Sequence, residues 1–261
     1  SRRYRARSPR RLSPEPVVTD CWDSPVVQDP FEVPQDLKLE LLLDIDKILR
    51  KDRRIRSTES ALSFSREEKW LATLDGSCIR QTITRSGAGY AATAVKRGES
   101  QVRSFPNSHG GQQATAGYEL IASLGLKENA ARIRDEAVAL LSAAPCPSEV
   151  TDCILDGSQI ALQIHESCGH PSELDRVLGM EANYAGRSFL TQEKMGRFQY
   201  GSRLVNLIAD TTVPTGLATC GYDDDGVREV HGAALAVGQA AVVEDLQQDV
   251  EDVRVRLLDL V

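Results

Sequence analysis

The chain has 261 residues, with 31 Lys and Arg against 38 Asp and Glu, a formal net charge of −7, 41% hydrophobic residues and 26% charged ones. Those values are ordinary for a globular protein with one sizeable core or two smaller ones, and the acidic balance argues against a general nucleic-acid binder. Apolar runs fall short of the roughly 18 residues that a membrane span takes, and none follows the N-terminal arginines as in a signal peptide, so no membrane partner is expected.

Residues 1–30 are Pro- and Arg-rich, with Arg2, Arg3, Arg5, Arg7, Arg10 and Arg11 in the first twelve. They read as coil, a disordered or atypical tail, with contact to RNA or an acidic surface as the alternative. From Asp36 to Arg50, Leu37, Leu41, Ile45 and Ile48 fall at helical spacing. The period then changes. Ile55 to Phe64, Lys69 to Leu74, Ile79 to Thr84 and Tyr90 to Val95 alternate or carry β-formers, and Asp75-Gly76 is a hairpin turn between two of them. Arg103 to Ala116 is polar and Gly-rich and reads as a loop, with His109 exposed rather than catalytic. A short helix over Tyr118 to Leu124 is followed by a longer one over Glu128 to Ser142, with Ala130, Ile133, Ala137, Leu140 and Leu141 on one face.

Pro145 and Pro147 mark a boundary, after which Val150 to Leu155 reads as a strand. The fold class is α+β: helices packed on a largely antiparallel sheet, followed by the start of a second domain that carries the metal-motif helix. The domains are residues 1–30 as the tail, 31–145 as the central α+β domain, 146–229 as the start of a catalytic domain, and 230–261 as an atypical C-terminal tail. Cysteines at 21, 78, 146, 153, 168 and 220 show no C-x-x-C pairing and do not form a disulfide framework; reduced thiols in a cytoplasm fit them best.

The chemistry lies in His165-Glu166-Ser167-Cys168-Gly169-His170, an H-E-x-x-x-H spacing. Imidazole is the commonest metal ligand, and a glutamate beside one is placed to take a proton from water activated by the ion. Histidines four apart sit about 40° from one another around an α-helix, whereas five apart they diverge by roughly 140°. Chelation therefore demands a distorted backbone, either a π-bulge that absorbs one residue or helix termination near the second histidine. Gly169 is permissive and Pro171 disfavours α geometry at the residue before it, so the helix is expected to loosen or end at Gly169-His170 and swing His170 back toward His165. Asp156 is placed to cap the helix, with Gln159 as reciprocal partner, and Ile160, Ile164 and Cys168 form a buried stripe. The plainer alternative is two unrelated helix histidines beside a solvated glutamate.

The wider stretch from Ile164 to Gly179 resembles the signature of the TldD/PmbA family of metallopeptidases, and is closer to its TldD branch, since the PmbA branch lacks the H-E-x-x-x-H. Tyr184-Ala185-Gly186-Arg187-Ser188-Phe189, Gly221-Tyr222-Asp223-Asp224-Asp225-Gly226 and Asp29-Pro30-Phe31 carry the same resemblance, which runs from about Pro16 to about Glu229. It implies a zinc-dependent peptidase that hydrolyses peptides or unfolded protein segments in the cytoplasm, from a family that also carries the older label of modulator of DNA gyrase. His165 and His170 would be the Zn2+ ligands and Glu166 the general base. The family's third ligand, a cysteine near the far C-terminus, has no counterpart here, and the chain resembles the middle of a longer enzyme, without the family's first segment and its C-terminal β-rich part.

Cys168 and Cys220 are substitute ligands in principle, although packing suits Cys168 better; Glu173 and Asp175 fit groups that orient an imidazole, or a solvated face. The resemblance also implies a homodimer or a heterodimer with a PmbA-like subunit. The competing reading is a catalytically inactive fragment, or a peptide-binding partner subunit of such a complex.

Overall fold

One strand organises the first half of the chain. In the computed structural model, residues 16–108, 110–150, 152–194, 196–202, 205–228, 233–235 and 253–257 are described. Strand β3 (Cys78–Lys96) pairs from Cys78 to Ala94 with β2 (Ile55–Ala72), antiparallel, with one irregularity between Ile55 and Ser57. Its other edge is shared in succession by β1 (Thr19–Asp23, parallel), β5 (Gln112–Ala114) and β4 (Glu99–Phe105), both antiparallel. The result is the expected α+β fold on a largely antiparallel sheet.

Three sequence expectations change. The four predicted strand segments are two long strands, because the register runs unbroken across the polar and glycine-bearing stretches that read as gaps. Asp75-Gly76 does turn the hairpin, with Gly76 at φ +109°, where a side chain is disfavoured. Arg103 to Ala116 contains the end of β4 and all of β5, which are edge strands, mostly exposed, and so lack apolar alternation. His109 lies outside the described residues. Thr19–Asp23, read as coil, is a strand because β3 offers it a free edge.

Helix α1 (Gln35–Leu49) and helix α3 (Leu126–Leu140) pack together on the sheet, with the short α2 (Glu119–Ser123) between them in sequence. The core is Ile45 and Leu49 of α1, Ile121 of α2, Leu126, Ala130, Ile133 and Ala137 of α3, and Ile55, Ala88, Tyr90, Ala92 and Ala94 of the strands. Small alanines on β3 let the helices approach closely, and each fully buried Ile or Leu contributes about 1.5–3 kcal/mol. The outer ends of the predicted stripes, Leu37 at 54% and Leu140 at 37% exposure, lie at the surface instead. Upstream of α1 the Asp29 carboxylate accepts from the Phe31 amide at 2.9 Å and from Arg66 at 2.6 Å, which fixes the turn that launches the helix.

After the proline boundary, the predicted strand at Val150 to Leu155 is absent among the described residues; Val150 and Ile154 are fully exposed, since no neighbouring strand supplies a ladder. Helix α4 (Gly157–Ile164) then leads into the site. Strand β6 (Val205–Ala209) pairs antiparallel with β7 (Ala233–Leu235) and β8 (Val253–Leu257), so part of the expected C-terminal tail has strand structure, while most of residues 230–261 lies outside the described ones.

The chain then returns to the sheet. Buried Gln81 of β3 donates to the Tyr222 carbonyl at 2.8 Å and accepts from the amides of Gly221 and Tyr222 at 3.0 and 2.9 Å. The Tyr222 hydroxyl donates to Asp20, which holds that carboxyl below and the phenol above their usual ranges. Gly221 is required by space: a Cβ there would lie 2.3 Å from the Trp22 ring. Replacing Gln81 with alanine strands three buried backbone groups at about 1–3 kcal/mol each. A loss of about 3 kcal/mol is expected in the denaturant-unfolding free energy; a change below about 1 kcal/mol would mean that the loop is not held there.

Candidate metal centre

Helix α4 begins where the Asp156 side chain accepts from the Ser158 amide at 2.8 Å. The capping residue is the expected one, but its side-chain partner is Ser158, which also donates its hydroxyl at 2.6 Å, rather than Gln159. Ile164 is buried against Leu207, with Ile160, Cys168 and Val205 beside it, so the apolar stripe seats the helix on β6.

At His165 the helix changes hand-hold. His165–Gly169 is a π-helical turn, and the His170 amide donates to the His165 carbonyl five residues back. An i→i+5 bond stacks residues five apart much as an α-helix stacks residues four apart. The helical path then resumes in α5 (His170–Ser172) and, after Glu173, α6 (Leu174–Val177). The π-bulge is the distortion formed, and the expected end of the helix at Gly169-His170 does not occur: His170 keeps helical angles, φ −54° and ψ −41°, before Pro171.

The source of the bulge is visible. In a regular helix the Ser167 carbonyl would accept from the amide four residues on, but that residue is Pro171, which has no N–H. The Tyr200 hydroxyl supplies the missing donor, 2.8 Å from the Ser167 oxygen. The Ser172 hydroxyl likewise donates to the Gly169 carbonyl at 2.8 Å. Tyr200 stacks on Phe189 with ring centroids 5.2 Å apart, and Phe198 joins them.

The consequence is convergence. The His165 and His170 rings lie edge to face with centroids 4.3 Å apart, and one ligand atom from each of His165, Glu166 and His170 falls within 4.8 Å of the others. His165 and Glu166 are exposed, and His170 is half-buried. Two imidazole nitrogens and a carboxylate at this separation fit a borderline-soft divalent cation. Neither Cys168 nor Cys220 belongs to this group. Cys168 faces the apolar contacts of Ile164, and burial pushes its thiol pKa up, away from the thiolate a ligand must be.

His170 is held from behind. Glu173 Oε1 lies 2.5 Å from His170 Nδ1, and Arg176 forms an ion pair with the other Glu173 oxygen while its Nη2 sits 3.2 Å from the same ring nitrogen. An Nδ1–H donated to the carboxylate leaves Nε2 as the free lone pair. Asp175 is exposed and accepts from the Arg176 amide, so of the two carboxylates only Glu173 touches the imidazole. The Arg176 carbonyl accepts from the Ser188 amide at 3.2 Å, and the Ser188 hydroxyl donates to the Pro171 carbonyl. The Tyr184 to Phe189 segment therefore braces the turn. The Gly221 to Gly226 segment belongs to the sheet contact of Gln81, and the sequence signal for it was a motif without a position.

Two family models match the chain. Residues 28–143 match the PmbA/TldA metallopeptidase central domain and residues 148–233 the PmbA/TldA metallopeptidase C-terminal domain. A metalloprotease of Methanothermobacter thermautotrophicus is 31% identical over 199 residues, covering 76% of this chain and 40% of its own length. One from Methanocaldococcus jannaschii is 29% identical over 203 residues, covering 76% and 41%. The chain thus spans about two fifths of the curated relatives it matches. Its fold is shared by crystal structures described as candidate modulators of DNA gyrase, from Thermotoga maritima (TM-score 0.60, 17% identity, 82% of this chain and 46% of that one) and Bacteroides thetaiotaomicron (0.56, 14%, 82% and 46%). Among the described residues no helix is long and apolar enough to cross a membrane.

Proposed function

The chain belongs to the PmbA/TldD family of metallopeptidases, and from that premise we propose that it carries the metal-binding part of a zinc peptidase of the TldD branch. The observation that supports this reading is the π-turn that stacks His165 over His170 with Glu166 in the same group.

In this reading His165 and His170 hold Zn2+ through one nitrogen each. When bound, the ion supplies Lewis-acid polarisation of a scissile carbonyl and lowers the pKa of water in the site. Glu166, exposed beside His165, takes a proton from the attacking water and returns it to the leaving amine. Glu173 keeps the His170 ring turned with Nε2 outward. The substrate class is a peptide or an unfolded segment of chain, and assembly is with a second copy or a PmbA-like subunit, in the cytoplasm. Catalytic zinc sites usually take three protein ligands, and the resemblance implies that the third is a cysteine in the family's C-terminal part.

Zinc content and peptide cleavage, measured on this chain and on a version extended to the relatives' length, test the proposal. The longer protein is expected to hold one zinc per chain and to cleave an unfolded peptide, with both lost to a chelator and restored by Zn2+. A longer protein that binds peptide but takes up no metal would support the inactive peptide-binding reading instead.

A further inference from the structure

The turns beside the start of β2 and the end of β3 carry a second, unrelated feature. A cleft of about 870 Å³ lies between the α1–β2 turn and the β3–β4 turn, lined by Lys51, Asp52, Arg53, Arg54, Arg56, Val95, Lys96 and Arg97. Six of these eight are cationic, in a chain whose net charge is −7. The single acid is already engaged: Asp52 takes both the Arg54 Nε and Nη2 at 2.9 and 2.6 Å, and that guanidinium holds its carboxyl far below the usual range. Among the described residues no ion pair satisfies Lys51, Arg53, Arg56, Lys96 or Arg97. Glu99 stands across the hairpin register from Lys96 without forming one.

The backbone holds these charges together. The Val95 amide donates to the Arg54 carbonyl at 2.8 Å, which ties one turn to the other. Arg97 and Gly98 form the tip of the β3–β4 hairpin, both with positive φ, 53° and 89°. That first position favours Asn, Asp or Gly, since a longer side chain is disfavoured there. An arginine in this backbone state adds a further cation to the cleft wall at a conformational cost. Like charges gathered without counter-ions repel one another, and an anion that enters the cleft removes that repulsion.

We propose that this cleft is a binding site for a compact oligophosphate, either an inorganic polyphosphate chain or the phosphate tail of a nucleotide. The cations come from two adjacent turns and not from a track along the sheet, which favours a compact anion over an extended one. Val95 is the one apolar residue in the lining, and no aromatic face is present on which a base could stack. Recognition is therefore of the phosphates alone. The site is independent of the metal centre and of the peptidase reading.

Calorimetric titration of the whole chain with tripolyphosphate, in buffer containing EDTA to silence the metal centre, tests the proposal. One saturable site is expected, with orthophosphate weaker, ATP no tighter than tripolyphosphate, and affinity falling as salt rises. The Lys96→Gln/Arg97→Asn variant removes two charges while placing asparagine where the turn prefers it, so folding is preserved. Its affinity is expected to fall about tenfold or more, given two lost charge-assisted contacts. Absence of saturable binding at millimolar tripolyphosphate, or equal affinity in the variant, overturns the assignment. So does a single-stranded oligonucleotide that displaces tripolyphosphate and binds more tightly with length, since that would be an extended backbone track.

Discussion

Replacing Glu166 with glutamine is expected to lower peptide cleavage by about a thousandfold in the protein extended to its relatives' length, while zinc content stays near one per chain. General acid–base catalysis contributes about 10²–10⁴ in rate, and the exchange removes the proton acceptor without altering size or the hydrogen-bonding outline of the side chain. Glu166 is exposed and adjacent to His165, on the turn that also brings His170 within reach. It would therefore be close enough to a cation held by the two histidines to reach water there, and it is not needed to hold the turn, whose bonds come from backbone, Tyr200 and Ser172. The paired measurement separates two roles. Loss of metal together with activity would make the carboxylate a ligand, and full activity with metal retained would remove it from the reaction.

That local geometry was legible because steric chemistry at a few adjacent residues determines it. Five-residue spacing between the histidines excluded a regular helix, and the π-turn over His165–Gly169 is the form the distortion takes, although His170 keeps right-handed helical angles (φ −54°, ψ −41°) in spite of the proline that follows it. Sequence pointed to a helix that loosens or ends at Gly169-His170, because the Tyr200 hydroxyl, which supplies the donor that Pro171 lacks, lies 33 residues beyond Ser167. Gln81 was invisible for the same reason: a polar residue in a strand is ordinary until a loop 140 residues later places three backbone groups against it. Edge strands β4 and β5 escaped notice because apolar alternation reports burial, and most of their residues stay exposed or only half-buried. Val150 to Leu155 erred in the opposite direction, with β-forming residues and no strand to pair with among the described residues. Helices α1 and α3, by contrast, bury the middles of the predicted stripes and expose only their ends, as expected for elements whose core face is set by period.

Removing the Glu173 carboxylate is expected to weaken zinc binding by about 10–100-fold, the usual cost of losing a group that orients a ligating imidazole. Glu173 Oε1 at 2.5 Å from His170 Nδ1 fixes both the tautomer and the ring angle, and without it the half-buried ring is free to rotate and to place its proton on Nε2. Glu173→Ala should show the full loss in a competition titration against a chelating dye. Glu173→Gln should recover much of it, since an amide oxygen still accepts from Nδ1–H. Arg176 acts through Glu173 by pairing with the second oxygen. Arg176→Met should therefore weaken zinc less than Glu173→Ala does, and the double variant should be no weaker than Glu173→Ala alone, which is the non-additivity expected of two residues in one network. The absorption spectrum of bound Co2+ should shift in Glu173→Ala and return toward wild type in Glu173→Gln, a response that general destabilisation of the fold would not produce. Unchanged zinc affinity in Glu173→Ala would show that the ring is positioned by packing alone, and additive losses in the double variant would give Arg176 a separate hold on His170 through its 3.2 Å contact.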